Sequence, residues 1–262
     1  METILTVDNI SKSYGNKHVI KDISITLNRG ELVSILGVSG VGKTTLFNVL
    51  SGLTEPDAGK VLLYPDKDDE DLPDEPQNND AEIDITGKNG YLSYMLQKDL
   101  LLPHKTVIEN AALPLLLEHV PKKKALEKAG KEFKHFGLDG TQKQYPAELS
   151  GGMRQRVALL RTYLCNKEVA LLDEPFSALD TITRSSMQQW YLDMMKDIKL
   201  STLFITHDMD EAILLSDRIY ILKGKPATIA EEIVVDEEKP RTPDFALTEK
   251  FLSYKKRIRT LL

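Results

Sequence analysis

Cysteine is almost missing from the 262-residue chain: Cys165 stands alone, which excludes an intramolecular disulfide framework and any Cys-rich zinc module and fits a reducing compartment. Apolar runs are short. None approaches the roughly 18 residues of a membrane-spanning helix, and residues 1–8 have neither the basic start nor the apolar stretch of a signal peptide. The expectation is a cytosolic-type chain that reaches any membrane through partners. A cationic surplus is absent too: 34 Lys+Arg face 40 Asp+Glu, a net charge of −6, which argues against a nucleic-acid partner. That excess is local, because residues 66–84 hold ten acidic residues and one lysine, a net of −9, and leave the remainder at +3. With 41% hydrophobic and 28% charged residues the composition is globular and excludes wholesale disorder.

What is present has an order. The first 30 residues read as a β-rich lobe, with period-two alternation at 4–7 and 23–27 and a turn at Asn28-Arg29-Gly30. Residues 32–36 form a nearly continuous apolar run, as expected of a strand buried on both faces, and a glycine-rich loop and a helix over 44–50 follow. Similar runs at 169–172 and 203–206 end in Asp173-Glu174-Pro175 and His207. Strands that each end in polar residues and alternate with helices imply a mainly parallel α/β core with its ligand site at the strand carboxyl ends.

One domain over 1–262 is expected, with the β-lobe and core at about 1–97 and 165–235. A mostly helical subdomain is expected at about 98–164, including amphipathic helices at 122–136 and 153–164. The acidic stretch, about 64–88, carries Pro65, Pro73 and Pro76 and reads as a solvated loop. A hairpin-tip excursion and a site for a divalent cation or basic partner both remain open for it. The end, about 245–262, reads as a basic helix that either docks on the core or lies on a lipid surface. Cys165 reads as a small hydrophobe at a helix end.

Gly37-Val38-Ser39-Gly40-Val41-Gly42-Lys43-Thr44-Thr45 satisfies G-x-x-x-x-G-K-[ST] with a strand before it and a helix after it. Its glycines let successive backbone N–H groups surround phosphates at a helix amino terminus. Lys43 would reach the β- and γ-phosphates and Thr44 would hold Mg²⁺. Asp173 is placed to hold that ion directly or through water, and Glu174 to act as general base for the attacking water. Alone, the Asp-Glu-Pro strand end could also be a helix start.

Leu149-Ser150-Gly151-Gly152-Met153-Arg154-Gln155-Arg156 resembles the signature motif of ABC transporter ATPases, and the family's other landmarks occur in order. The resemblance implies a P-loop NTPase core with an N-terminal antiparallel β-lobe and an inserted α-helical subdomain. It implies that Tyr14 stacks on adenine, that Gln97 senses Mg²⁺ or water, that Asp180 lies in the loop communicating across a dimer, and that His207 is the γ-phosphate switch. It further implies a homodimer on nucleotide binding, in which Ser150, Gly151, Gly152 and Met153 of one subunit close on ATP held by the other. Integral membrane permease subunits and an external solute-binding protein would complete a complex at the cytoplasmic face of the membrane. The stretch 97–103, Asn110, Met153 and the run 173–180 resemble the nitrate, sulfonate, taurine and thiamine-precursor uptake group. The same motor would also serve export or lipoprotein release, or a non-transport relative that uses ATP to dimerise. Met153 replaces the commoner glutamine, and His104 stands where an aromatic is usual.

Overall fold

The computed structural model describes residues 2–65, 82–198, 200–239 and 241–262. Its strands are β1 (Thr3–Tyr14), β2 (Lys17–Asn28), β3 (Leu32–Leu36), β4 (Ala58–Leu63), β5 (Ile83–Asp84), β6 (Ser93–Met95), β7 (Val169–Asp173), β8 (Ser201–Thr206), β9 (Arg218–Gly224) and β10 (Ala227–Val234). Its helices are α1 (Lys43–Leu50), α2 (Val107–Ala111), α3 (Leu113–Leu117), α4 (Lys122–Glu132), α5 (Gly151–Tyr163), α6 (Thr181–Ile198), α7 (Met209–Leu215) and α8 (Glu249–Leu261).

Among the described residues the strands join one ten-stranded sheet in the order β5-β4-β1-β2-β10-β9-β3-β8-β7-β6. Strands β6, β7, β8, β3 and β9 run parallel, whereas β5, β4, β1 and β2 pair antiparallel. The apolar runs serve the middle of this sheet because alternate residues enter different layers. Val169 and Leu171 of β7 and Leu203 and Ile205 of β8 pack with α1 and the β-lobe. Ala170, Leu172 and Phe204 face the helical side with Phe133, Phe136 and Val157. Such burial contributes about 1.5–3 kcal/mol per large aliphatic side chain.

Helix α5 begins at Ser150, whose hydroxyl accepts from Met153 N–H at 3.3 Å, and it is tied to its neighbours by arginines. The Arg156 guanidinium lies 4.5 Å from the Trp190 ring of α6. Arg154 pairs with Asp99 at 3.2 Å, and Arg161 donates to the Asp99 carbonyl at 2.6 Å. Cys165 follows α5, half-buried, and burial pushes its thiol up to about 11, so it is held as a thiol at neutral pH.

Three local expectations change. The acidic stretch lies largely outside the described residues, and its end is not loop: Ile83 and Asp84 pair with Leu63 and Leu62, because Ile85 is buried next to them. Helix α4 stops at Glu132 rather than Phe136. Gly137 adopts φ 63°, and Leu138 N–H returns to the Phe133 carbonyl at 2.7 Å, which closes the helix with a left-handed glycine. The last helix starts at Glu249 after a 3₁₀ turn at Pro243–Leu247, capped by Thr248.

That last helix docks on the core. Phe251 and Ile258 of α8 enter an apolar cluster with Ile213, Ile221 and Ile233, and Lys255 pairs with Asp210 at 2.6 Å. Arg241, only 2% exposed, holds the segment in place by donating to the carbonyls of Ile213, Leu214 and Ser216 at the end of α7 and to Val235 and Glu237. No helix among the described residues is long and apolar enough to cross a membrane.

Candidate active site

Because β3, β6, β7 and β8 are parallel, their carboxyl ends open on one edge of the sheet, and each delivers polar residues there. A cleft of about 560 Å³ at this edge is lined by Tyr14, Lys17, Val19, Ser39, Gly40, Gly42, Lys43, Thr44, Thr45, Gln97, Asp173, Glu174 and His207. Gly37, Val38 and Val41 lie outside that lining; Val41 is buried beneath the loop and Val38 is exposed. Ser150, Gly151, Gly152, Met153 and Asp180 are also outside it in the same chain.

The loop after β3 is shaped by glycine. Gly42 adopts φ 126°, and a Cβ there would come within 2.9 Å of Ile20 Cγ2; one on Gly37 would meet the Leu222 carbonyl at 2.7 Å. Helix α1 starts at Gly42 without a side-chain cap, so its first-turn amides have no capping side chain. Lys43, 5% exposed, donates to the carbonyls of Gly37 at 2.8 Å and Val38 at 3.2 Å. Burial lowers its pKa, and the charges of Glu174 and Asp173 oppose that shift.

At the end of β7, Asp173 is buried and its carboxyl is raised, chiefly by desolvation, against the hydrogen bond from Thr44. The Tyr94 hydroxyl donates to it at 3.4 Å. Glu174 takes a left-handed backbone, φ 46°, which is uncommon for a residue with a side chain. Its N–H reaches the Ile205 carbonyl at 3.0 Å. The Glu174 carboxylate accepts from Gln97 Nε2 on one oxygen and from His207 Nδ1 on the other, both at 3.0 Å. Three strand ends thus meet on one carboxylate.

Asp180 accepts from Ile182 and Thr183 N–H, each at 3.1 Å, and Asp208 accepts from Asp210 and Glu211 N–H, so the loops leaving β7 and β8 each start a helix with an acidic cap. Sequence reading missed what joins these helices. Arg184 of α6 faces Asp208 at 3.6 Å, and Gln188 donates to the buried Glu211 of α7 at 3.0 Å. It also missed Lys17 and Tyr94, which carry no motif.

Glu211 is held up to about 7 from an ordinary 4.5, mainly by desolvation. Its unfolded form ionises first, so its contribution to stability falls as pH rises from about 4.5 to about 7 and is level above. Glu211→Gln, which can still pair with Gln188, is expected to nearly match the parent at about pH 4 and to exceed it by about 1–3 kcal/mol at about pH 8. Urea unfolding at both pH values checks this, and an unchanged pH dependence would refute it.

A protein-family model described as ABC transporter matches residues 20–177. The formylaminopyrimidine import ATP-binding protein ThiZ of Halalkalibacterium halodurans is 38% identical over 100% of this chain and 97% of its own length. The spermidine/putrescine import ATP-binding protein PotA of Haemophilus influenzae is 37% identical over 86% of this chain and 57% of its own. Among solved structures, a dimeric post-hydrolysis state of the ATP-binding cassette MJ0796 bound to ADP and phosphate superposes with a TM-score of 0.70 at 26% identity, over 90% of this chain and 100% of that one. On the family match and the full-length likeness, the chain belongs to the ABC transporter family, as one of its ATP-hydrolysing, ATP-binding subunits.

Proposed function

We propose that this subunit hydrolyses ATP in the cleft between β3 and β7 to drive import of a small solute through a membrane permease. The observation that carries the reading is the Glu174 carboxylate, held by Gln97 and His207 in a cleft that also contains Lys43 and the glycine loop. The loop amides and Lys43 bind the phosphates, and Tyr14, half-exposed at the rim, offers its ring face to adenine. Glu174 accepts the proton of the attacking water, and His207 turns to the γ-phosphate.

The hydrogen-bonded pair Thr44 and Asp173, with the Gln97 amide oxygen, is an all-oxygen donor set that suits Mg²⁺, an ion that takes one or two protein ligands beside phosphate oxygens. Bound there, Mg²⁺ would supply neutralisation of phosphate charge. Thr44 and Asp173 would hold it, and Lys43 would add a second positive charge beside the phosphates.

The signature residues 150–153 and Asp180 complete the site of a second copy, so two chains enclose two ATP molecules when nucleotide binds. The dimeric state of a structural neighbour supports this arrangement. ATP then binds the closed dimer more tightly than the open one, and hydrolysis reopens it. The full-length likeness to a formylaminopyrimidine importer supports a solute of the nitrate, sulfonate, taurine or pyrimidine class, delivered by an external binding protein, with this subunit at the cytoplasmic face. Affinity capture of the tagged chain from solubilised native membranes is expected to recover a multi-span permease and a hydrolysis rate that rises with loaded binding protein. Recovery of the chain alone, with a rate indifferent to membranes, would sink the transport reading.

A further inference from the structure

We propose that Asp57 is a positioning residue for nucleotide-base binding, locking the tip that carries Tyr14 to the segment that leaves the phosphate loop. The inference rests on the reading of Tyr14 as the adenine platform. Tyr14 ends β1 at a hairpin tip, half-exposed and outside the apolar core clusters of the described residues. A tip of this kind is otherwise free to sway, and the order it lacks is subtracted from any stacking energy.

Asp57 supplies the missing order from the segment between α1 and β4. Helix α1 runs directly out of the phosphate loop, and the chain then returns through residues 51–57 to β1. There Asp57 N–H donates to the Ser11 carbonyl at 2.8 Å. One oxygen of its carboxylate accepts from Ser13 N–H at 2.6 Å, and the other accepts from Lys12 Nζ at 3.0 Å. Lys12 is mostly buried, with 15% of its side chain exposed, and its ammonium lies 5.6 Å from the centre of the Tyr14 ring. The carboxylate therefore fixes the residue before Tyr14 through the backbone and fixes the ring through the cation on its face. His18 Nδ1, on the opposite strand, shares a 2.8 Å hydrogen bond with the Ser13 hydroxyl and braces the same residue. The short bonds from Lys12 and Ser13 hold the Asp57 carboxyl below the usual carboxylate range, so the tether is intact at neutral pH. The bonds of Asp57 reach Ser11, Lys12 and Ser13 beside the adenine platform, not the phosphate loop itself.

The test compares ATP with inorganic tripolyphosphate, which has the phosphates and no base. Asp57→Ala is expected to weaken ATP binding about three- to tenfold. Tripolyphosphate affinity and the turnover at saturating ATP should stay at parent values. Asp57→Asn, which keeps an acceptor for Ser13 but loses the charge facing Lys12, should fall between. Combined with Tyr14→Ala, Asp57→Ala should add nothing further, the coupling expected of residues that act through one another. Equal weakening of both ligands, or additive losses in the double variant, would overturn the proposal. If Tyr14→Ala weakens ATP and Asp57→Ala does not, the positioning role fails alone. If Tyr14→Ala itself binds ATP like the parent, the platform reading fails and this inference fails with it.

Discussion

Replacing Glu174 with glutamine is expected to slow ATP turnover by about a hundred- to ten-thousandfold while leaving nucleotide binding nearly intact. The glutamine side chain has the same shape; its amide oxygen can accept from Gln97, and its amide nitrogen can donate to His207 Nδ1 in the other imidazole tautomer, where the present carboxylate accepts from both at 3.0 Å. It cannot take a proton from water. The left-handed backbone at this position, φ 46°, sets where the side chain emerges and is unchanged by the substitution. In the proposed cycle hydrolysis reopens the closed state, so the variant should accumulate as an ATP-bound dimer. Size-exclusion chromatography with and without ATP, beside a phosphate-release assay, reads both effects. Turnover at the parent rate would remove Glu174 from the role of base.

Lys43→Ala carries the second large effect, and it acts on binding. The ammonium sits almost buried against the carbonyls of Gly37 and Val38, with Asp173 and Glu174 as its nearest acidic influences. Two carboxylates face the place where a polyanion must bind, so removing the cation leaves repulsion as well as a lost contact. A fall in ATP affinity of about a hundredfold or more is expected, equivalent to about 3 kcal/mol. Lys43→Arg should recover little of it, because a planar guanidinium does not fit a site shaped for a compact ammonium. Nucleotide binding followed by calorimetry checks both variants, and affinity within threefold of the parent would contradict the assignment.

What was legible in the sequence followed from period and punctuation. The run 32–36 announced a doubly buried strand because no polar residue but Ser34 interrupts it, and Gly37, Gly40 and Gly42 announced a loop that only glycine can shape. Asp173, Glu174 and His207 could be placed at strand ends because apolar runs precede them, and Gln97 was marked only by the family resemblance. Their convergence on one carboxylate could not be read, since hydrogen bonds from Gln97 and His207 depend on the strand order β3-β8-β7-β6, which is not local. Asp57, Arg184, Gln188 and Glu211 escaped for the same reason: each is an ordinary polar residue until a distant segment is folded against it. The end of the acidic stretch was misread because its composition outweighed the single pair Ile83 and Ile85, whose burial depends on β4.

The position of β3 also sets an order of events during synthesis. β3 lies between β8 and β9, so the strand that launches the phosphate loop emerges from the ribosome at residue 36 and meets its last neighbour only when residue 224 has been made. At ordinary rates of translation that gap lasts roughly ten to forty seconds. Strands β1, β2 and β4 can pair meanwhile, but the apolar strand β3 stays without lateral partners, and contacts so distant in sequence are slow to form. Premature release between residues 50 and 200 would therefore yield fragments with an open, sticky sheet edge, whereas the complete chain closes that edge with its own later strands.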